Sequence, residues 1–188
     1  LHLMAYDYHN DRADVAVGLV RTATLIRQAR SEAEAQGVPV VLLDNGDLLE
    51  GTPMADVLAQ SQVPHPLITA MHDLGYDAAT LGNHDFDFGL DYLDRVLAQA
   101  RFPVLSSNAT RLHGRAWPDH ALLLRNVNDQ NGQAHFIRIG LIGLLPPQVM
   151  QWNRKILTGQ VTVRDIVATG IEKARALRRG GADLVIAL

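Results

Sequence analysis

The chain has 188 residues, of which 47% are hydrophobic and 20% charged, with a formal net charge of −3 and no cysteine. Such a length and composition suit one soluble globular domain with a core of ordinary density. The negative balance and the lack of a basic run argue against a partner held through its phosphates, such as a nucleic-acid duplex. The absence of Cys excludes disulfides, thiolate chemistry and Cys-based zinc sites.

In chain order, "VAVGLVRTATLIRQARSEAEAQG" carries Leu19, Ala23, Ile26 and Ala33 near helical spacing and predicts a helix stopped by Gly37. "VPVVLLDNGD" is a β-branched run ending in polar residues, which reads as a strand buried on both faces. "HPLITAMHDLGYDAATLGNHD" predicts a helix from about Pro66, a stop at Gly75 and a second strand, and "GLDYLDRVLAQARFPVLSSN" repeats the plan. This is βαβ grammar, so the class is α/β, with a largely parallel sheet and helices packed outside it. "HALLLRNVNDQNGQAHFIRIGLIGLL" holds two β-rich runs about "NDQNG", a hairpin attached to the sheet system. "VTVRDIVATGIEKARALRRGGADLVIAL" returns to helix and strand, and its Arg cluster suits the carboxyl end of a helix dipole. No apolar run approaches the roughly 20 residues of a membrane span. The chain opens on Leu with no visible signal peptide and stops inside "ADLVIAL". Both ends read as cut, so part of a longer protein is expected.

Ligands of open α/β sheets bind beyond the carboxyl ends of the strands. At those ends stand Asp44-Asn45-Gly46-Asp47, then Gly82-Asn83-His84-Asp85, then Ser106-Ser107-Asn108, with His2 at the start of the chain. Each alone has a plain reading: an Asp after a strand caps a helix or makes a turn, and an Asn takes a positive φ. His65, His72, His113, His120 and His135 lack a polar cluster in the sequence and read as ordinary surface or core histidines. The aromatic side chains Trp117, Trp152, Tyr6 and Tyr8 read as packing before base stacking.

Together, Gly-Asp after one strand and Gly-Asn-His-Asp after the next make a specific combination. It resembles the calcineurin-like metallophosphoesterases, whose signature runs Asp-x-His, Gly-Asp, Gly-Asn-His-Asp/Glu and later histidines. On that resemblance Leu1-His2 is the remainder of the first block, its Asp precedes Leu1, and the later histidines follow Leu188. "NHDFDFG" is similar to the nucleotidase branch. "YDYHNDRADVAVGLVRTATLI", "DNGDLLEGTPMADV", "FPVLSSNA" and "LLPPQVMQWNRKILTGQVTVRDI" resemble the bacterial 2′,3′-cyclic-nucleotide 2′-phosphodiesterases/3′-nucleotidases. His9 departs from the aromatic expected after Tyr8 in that branch.

The resemblance implies a four-layer αββα sandwich of two mixed sheets flanked by helices, here truncated at both ends. Residues 1–188 would be part of the catalytic domain, without the carboxyl-terminal domain that grips the base. It implies two divalent ions (Mn, Fe, Zn or Co), held by His2, Asp47 as bridging carboxylate and Asn83 as a neutral oxygen ligand. Two such cations about 3.5–4 Å apart clamp a phosphate and lower the pKa of a bridging water. His84 would contact the phosphate and protonate the leaving oxygen, and Asp85 would hold the imidazole and keep it protonated. Asn108 would border the substrate pocket. The implied reaction is attack of metal-bridging hydroxide on a 2′,3′-cyclic nucleotide, then release of nucleoside from the 3′ ester, in the periplasm or at the cell surface. Two alternatives stand beside it. One is a 5′-nucleotidase or UDP-sugar hydrolase; the other is a fragment that binds metal weakly or not at all and does no chemistry alone.

Overall fold

A computed structural model describes residues 2–188. In chain order it contains β1 (Tyr6–Asp7), β2 (Arg12–Ala13), α1 (Leu19–Ala35), β3 (Leu43–Asp44), α2 (Pro53–Ala59), α3 (Pro66–Asp73) and β4 (Ala78–Thr80). A 3-10 turn (Asn83–Phe86) precedes α4 (Leu90–Leu97), β5 (Val104–Leu105), β6 (Ala109–Arg111), β7 (Ala121–Asn128) and β8 (Ala134–Ile142). Then come α5 (Val149–Trp152), α6 (Arg154–Leu157), β9 (Val161–Val163), α7 (Ile166–Arg179) and β10 (Leu184–Ala187). The first residue of the inferred Asp-x-His remnant, Leu1, lies outside the described residues.

The predicted parallel sheet is present in the order β3-β4-β5, with Leu43 opposite Ala78 and Ala79 opposite Val104. The predicted stops hold as well: α1 ends before Gly37, α3 before Gly75, both with positive φ. Pro66 sits at the first helical position of α3, where its missing N–H costs nothing. Successive strand residues face opposite sides, and β4 shows the consequence. Ala79 joins the main core with Leu19 and Ala23 of α1, Ile68 and Met71 of α3, and Leu93 and Val96 of α4. Its neighbour Ala78 instead meets Leu105 of β5 and Ile139 and Leu141 of β8, with Leu123 and Ile186 packed alongside.

β8 belongs to a second, mixed sheet in the order β10-β8-β7. β7 and β8 form the hairpin expected at "NDQNG", and Asp129 fixes its turn by accepting from the N–H groups of Asn131 and Gln133. α7 lies against β8 at Gly140, where a Cβ would approach Leu177 to 2.9 Å. Asp165 caps α7 through the Ala168 N–H at 2.7 Å. The antiparallel pair of β6 with β9 joins segments about fifty residues apart in the chain and has no local signature in the sequence.

One expected strand is shorter than its apolar run. Only Leu43–Asp44 of the 40–44 stretch forms β3. Side chains occupy the backbone groups before it: Arg125 Nε donates to the Val40 carbonyl at 3.3 Å, and the Leu42 N–H donates to Asp77 Oδ2 at 2.9 Å. Arg125 and Asp77 also form an ion pair, so this clasp replaces a ladder. Among the described residues, no helix is long and apolar enough to cross a membrane.

Candidate metal and phosphate site at the ends of β3 and β4

The loops that leave β3 and β4 run against each other backbone to backbone. A Cβ on Gly46 would lie 2.6 Å from the Gly82 nitrogen, and a Cβ on Gly82 would collide with the Asp47 carboxylate. Both positions therefore need Gly for close approach, which is the physical content of the Gly-Asp and Gly-Asn-His-Asp motifs. Asp47 itself has φ 60, in the left-handed region that non-glycine residues rarely adopt. Such strain persists only where surroundings over-determine it. Here the Asp47 N–H donates to Asp85 Oδ2 at 3.2 Å, and Asp47 Oδ1 accepts from the His84 N–H at 3.0 Å.

Asp85 is the clasp between the loops. It is 2% exposed and accepts from Gly82 N–H at 2.8 Å, Leu48 N–H at 2.8 Å and Leu49 N–H at 3.0 Å, besides Asp47. Burial pushes its carboxyl up to about 6 against the pull of these donors, and the charge of Asp47 adds to the rise.

Asp85 does not hold the imidazole, contrary to the sequence expectation. His84 Nδ1 lies 2.7 Å from Asp87 Oδ2. The reason is the 3-10 turn. At three residues per turn, side chains at i and i+3 eclipse while i and i+1 diverge. His84 and Asp87 therefore meet outside, and Asp85 points in. Glu50 Oε2 stands 3.5 Å from the same His84 nitrogen. The hydrogen bond to Asp87, with the charges of Asp87, Asp47 and Glu50, holds the half-exposed imidazole above its usual pKa. Ligand atoms of Glu50, His84 and Asp87 all lie within 4.8 Å of one another.

The other predicted residues divide. Asn83 opens the 3-10 turn beside the Asp47 loop. The Asp44 carboxyl is raised by burial and by its neighbour Asp47, and it accepts from the Gly46 N–H at 3.0 Å. His2 is tied to the start of α1 by its carbonyl, which accepts from Leu19 N–H at 2.7 Å. Its ring tilts on Tyr8, and its Nδ1 is shielded from solvent without a hydrogen-bond partner. Asn108 does not border the site. It is fully buried, donates to the carbonyls of Leu145 and Arg164, and accepts from the Leu145 N–H at 2.8 Å. Both of its donors and one acceptor site tie β5 to later segments, and its side chain is fully buried away from the site. Nor does His120 lack a polar neighbour: its Nδ1 lies 2.6 Å from Asp119, which also pairs with Lys173.

No protein-family model matches the chain. Its sequence is 40% identical over 193 residues to the 2′,3′-cyclic-nucleotide 2′-phosphodiesterase/3′-nucleotidase of Yersinia enterocolitica, covering 100% of this chain and 29% of that protein. The 5′-nucleotidase of Vibrio cholerae is 34% identical over 148 residues, 79% of this chain and 25% of that one. Among solved structures, the calcineurin-like phosphoesterase YfkN of Bacillus subtilis superposes with a TM-score of 0.87 at 37% identity, covering 99% of this chain and 57% of that one. Along its whole length the chain is thus similar to nucleotide phosphoesterases, and it shares the fold of a calcineurin-like phosphoesterase. It spans less than a third of the length of the curated nucleotide phosphoesterases it matches.

A calcineurin-like phosphoesterase fold implies divalent metal, and the donors in this chain fit one. Burial, and after it the charge of Asp47, disfavours the charged form of the Asp44 carboxyl, and a cation would relieve both. His2 Nδ1 is an imidazole nitrogen with no protein partner. Oxygen and imidazole donors without thiolate suit Mn, Fe, Co or Zn better than a soft metal. Sequence reading missed Asp87 and Glu50. Asp87 had a signal, its i+3 spacing from His84 in "NHDFD", but that spacing acquires meaning only once the segment is known to be a 3-10 turn.

Proposed function

We propose that this chain is part of the catalytic domain of a metal-dependent phosphohydrolase that opens 2′,3′-cyclic nucleotides to 3′-nucleotides and dephosphorylates these to nucleosides. The observation that carries the reading is the 40% identity along the whole chain to a protein named for those two activities, against a partial match to the 5′-nucleotidase. In this reading residues 1–188 form much of a four-layer αββα sandwich. The first ligand Asp, the later histidines and a base-gripping domain belong to other parts of the protein, which works in the periplasm or at the cell surface.

His2, Asp47 and Asn83 would hold two divalent ions. When bound, such ions neutralise phosphate charge and activate water. The chain's own residues supply the rest. Gly46 and Gly82 let the backbone approach closely enough to keep Asp47 in place. Asp85 locks both loops, so the donors are held before substrate arrives. Asp87 accepts the Nδ1 proton of His84 and favours the imidazolium. His84 Nε2 then gives its proton to the leaving ester oxygen as the phosphorus–oxygen bond breaks: the 2′ oxygen first, the 3′ oxygen in the second hydrolysis. General acid help of this kind contributes about 10²–10⁴-fold.

The test is hydrolysis of 2′,3′-cyclic AMP by the full-length protein with Mn²⁺, separating 3′-AMP, 2′-AMP and adenosine by chromatography. We expect 3′-AMP to accumulate and then adenosine, and both to vanish in Asp47→Asn. Survival of the cyclic ester while 5′-AMP is consumed would move the protein to the 5′-nucleotidase reading. Turnover of neither ester with any divalent ion would remove the catalytic assignment.

A further inference from the structure

Asn153 stands between α5 and α6, 66 residues after the carboxylate it touches. Its Nδ2 donates to Asp87 Oδ1 at 2.6 Å, while Asp87 Oδ2 holds His84 Nδ1 at 2.7 Å. One carboxylate is therefore gripped at both oxygens, by an amide on one side and by the imidazole on the other. The Asp87 side chain is 31% exposed and would swing freely with a single partner. Asn153 cannot swing. Its N–H donates to the Val149 carbonyl, its carbonyl accepts from the N–H groups of Ile156 and Leu157, and Val149 and Leu157 are fully buried in the main core.

Charge decides which end of the amide faces Asp87, since its oxygen there would meet an anion. The consequence is visible on the other side: Asn153 Oδ1 is shielded from solvent and has no hydrogen-bond partner. A buried acceptor without a donor costs stability. An apolar side chain of the same size would carry no such penalty, so packing alone gives no reason for an amide at this position. The bond to Asp87 does.

We propose that Asn153 is a positioning residue for His84. It fixes the Asp87 carboxylate so that Oδ2 accepts the Nδ1 proton, which keeps Nε2 directed at the phosphate. The proposal deepens the phosphohydrolase reading given above and rests on it for the role of His84. Partners of this outer kind typically change activity by about 10–100-fold when removed.

The experiment compares wild type, Asn153→Leu and Asn153→Asp in the full-length protein. It reads hydrolysis of 2′,3′-cyclic AMP with Mn²⁺, thermal midpoint, and the tautomer of neutral His84 by ¹⁵N NMR of the metal-free protein. For Asn153→Leu we expect kcat to fall about tenfold or more with KM within about twofold. Its midpoint should be unchanged or raised, and the Nδ1–H tautomer should lose its majority. Asn153→Asp keeps the shape, opposes two carboxylates and should lose the same tautomer. It decides the matter if the Leu variant does not fold. An unchanged tautomer with unchanged kcat overturns the proposal. So does a kcat that falls only in step with the thermal midpoint while the tautomer stays. If wild type hydrolyses neither the cyclic ester nor 3′-AMP, the proposed function fails, and the tautomer ratio alone decides the role of Asn153.

Discussion

His84 and His65 stand on opposite terms with their surroundings. His84 is half-exposed, faces Asp87 and Glu50, and has its pKa raised. His65 is 2% exposed at the start of α3, neither ring nitrogen has a partner, and burial pushes its pKa down to about 4. Its ring tilts on Tyr92, whose hydroxyl is also buried without a partner. The same side chain is thus a charged donor in one place and a neutral packing element in the other. Solvent access and carboxylate partners decide which, since a buried imidazole without a counter-charge cannot keep its proton.

Three substitutions break or sharpen this contrast. The largest effect is expected from the clasp beneath His84. Asp85→Ala leaves the N–H groups of Gly82, Leu48 and Leu49 facing an empty space, and each unsatisfied buried donor costs about 1–3 kcal/mol. Urea denaturation should show a loss of about 3–5 kcal/mol at neutral pH.

Next in size is the pH dependence carried by His65. Its folded pKa lies below its unfolded value, so the unfolded chain binds the extra proton and stability falls as pH drops from 6.5 toward 4. A depression from 6.5 to about 4 amounts to about 3 kcal/mol at the acid end. Asp85 has the opposite sign. Its folded pKa of about 6 exceeds 3.8, so its contribution is complete below 3.8 and lost as pH rises through 6. The two slopes oppose each other over nearly the same window. His65→Leu should remove one and reveal the other, giving a protein whose stability increases from pH 6.5 to 4 relative to wild type. Denaturation midpoints across that range measure it, and parallel wild-type and variant curves would contradict the neutral, buried assignment.

The smallest of the three acts on His84 itself. Asp87→Asn replaces the charged acceptor at Nδ1 with an amide. The His84 pKa should fall, and hydrolysis should drop by about 10–100-fold, part of what general acid help supplies. NMR titration of the ring and steady-state kinetics read the two effects separately. An unchanged pKa would show that Glu50 and Asp47, not Asp87, govern the ring.

Much of the fold was legible because its signals are local. The spacing in α1, the glycine stops at 37 and 75, the alternation of helix with strand and the Asp129 hairpin all follow from short-range rules. The β6–β9 pair and the Arg125–Asp77 clasp were not legible, because each joins residues roughly fifty positions apart. The site divides in the same way. Gly46-Asp47 and Gly82 to Asp85 stood out as polar residues at strand ends, and the structure does press these two loops together. Asn108 carried the same surface signal and proved to be a buried tie, since nothing in "VLSSN" records that Leu145 and Arg164 lie beside it.

By itself the sequence determined the α/β alternation and the polar strand ends, because secondary-structure period and turn chemistry act within a few residues. Only the tertiary structure decided the partnerships. Asp85 turns inward and Asp87 reaches His84 because a 3-10 turn eclipses positions three apart. Asn153 reaches Asp87 because Val149 and Leu157 anchor its segment in the core. Side-chain direction and long-range contact come from packing, and packing belongs to the whole chain at once.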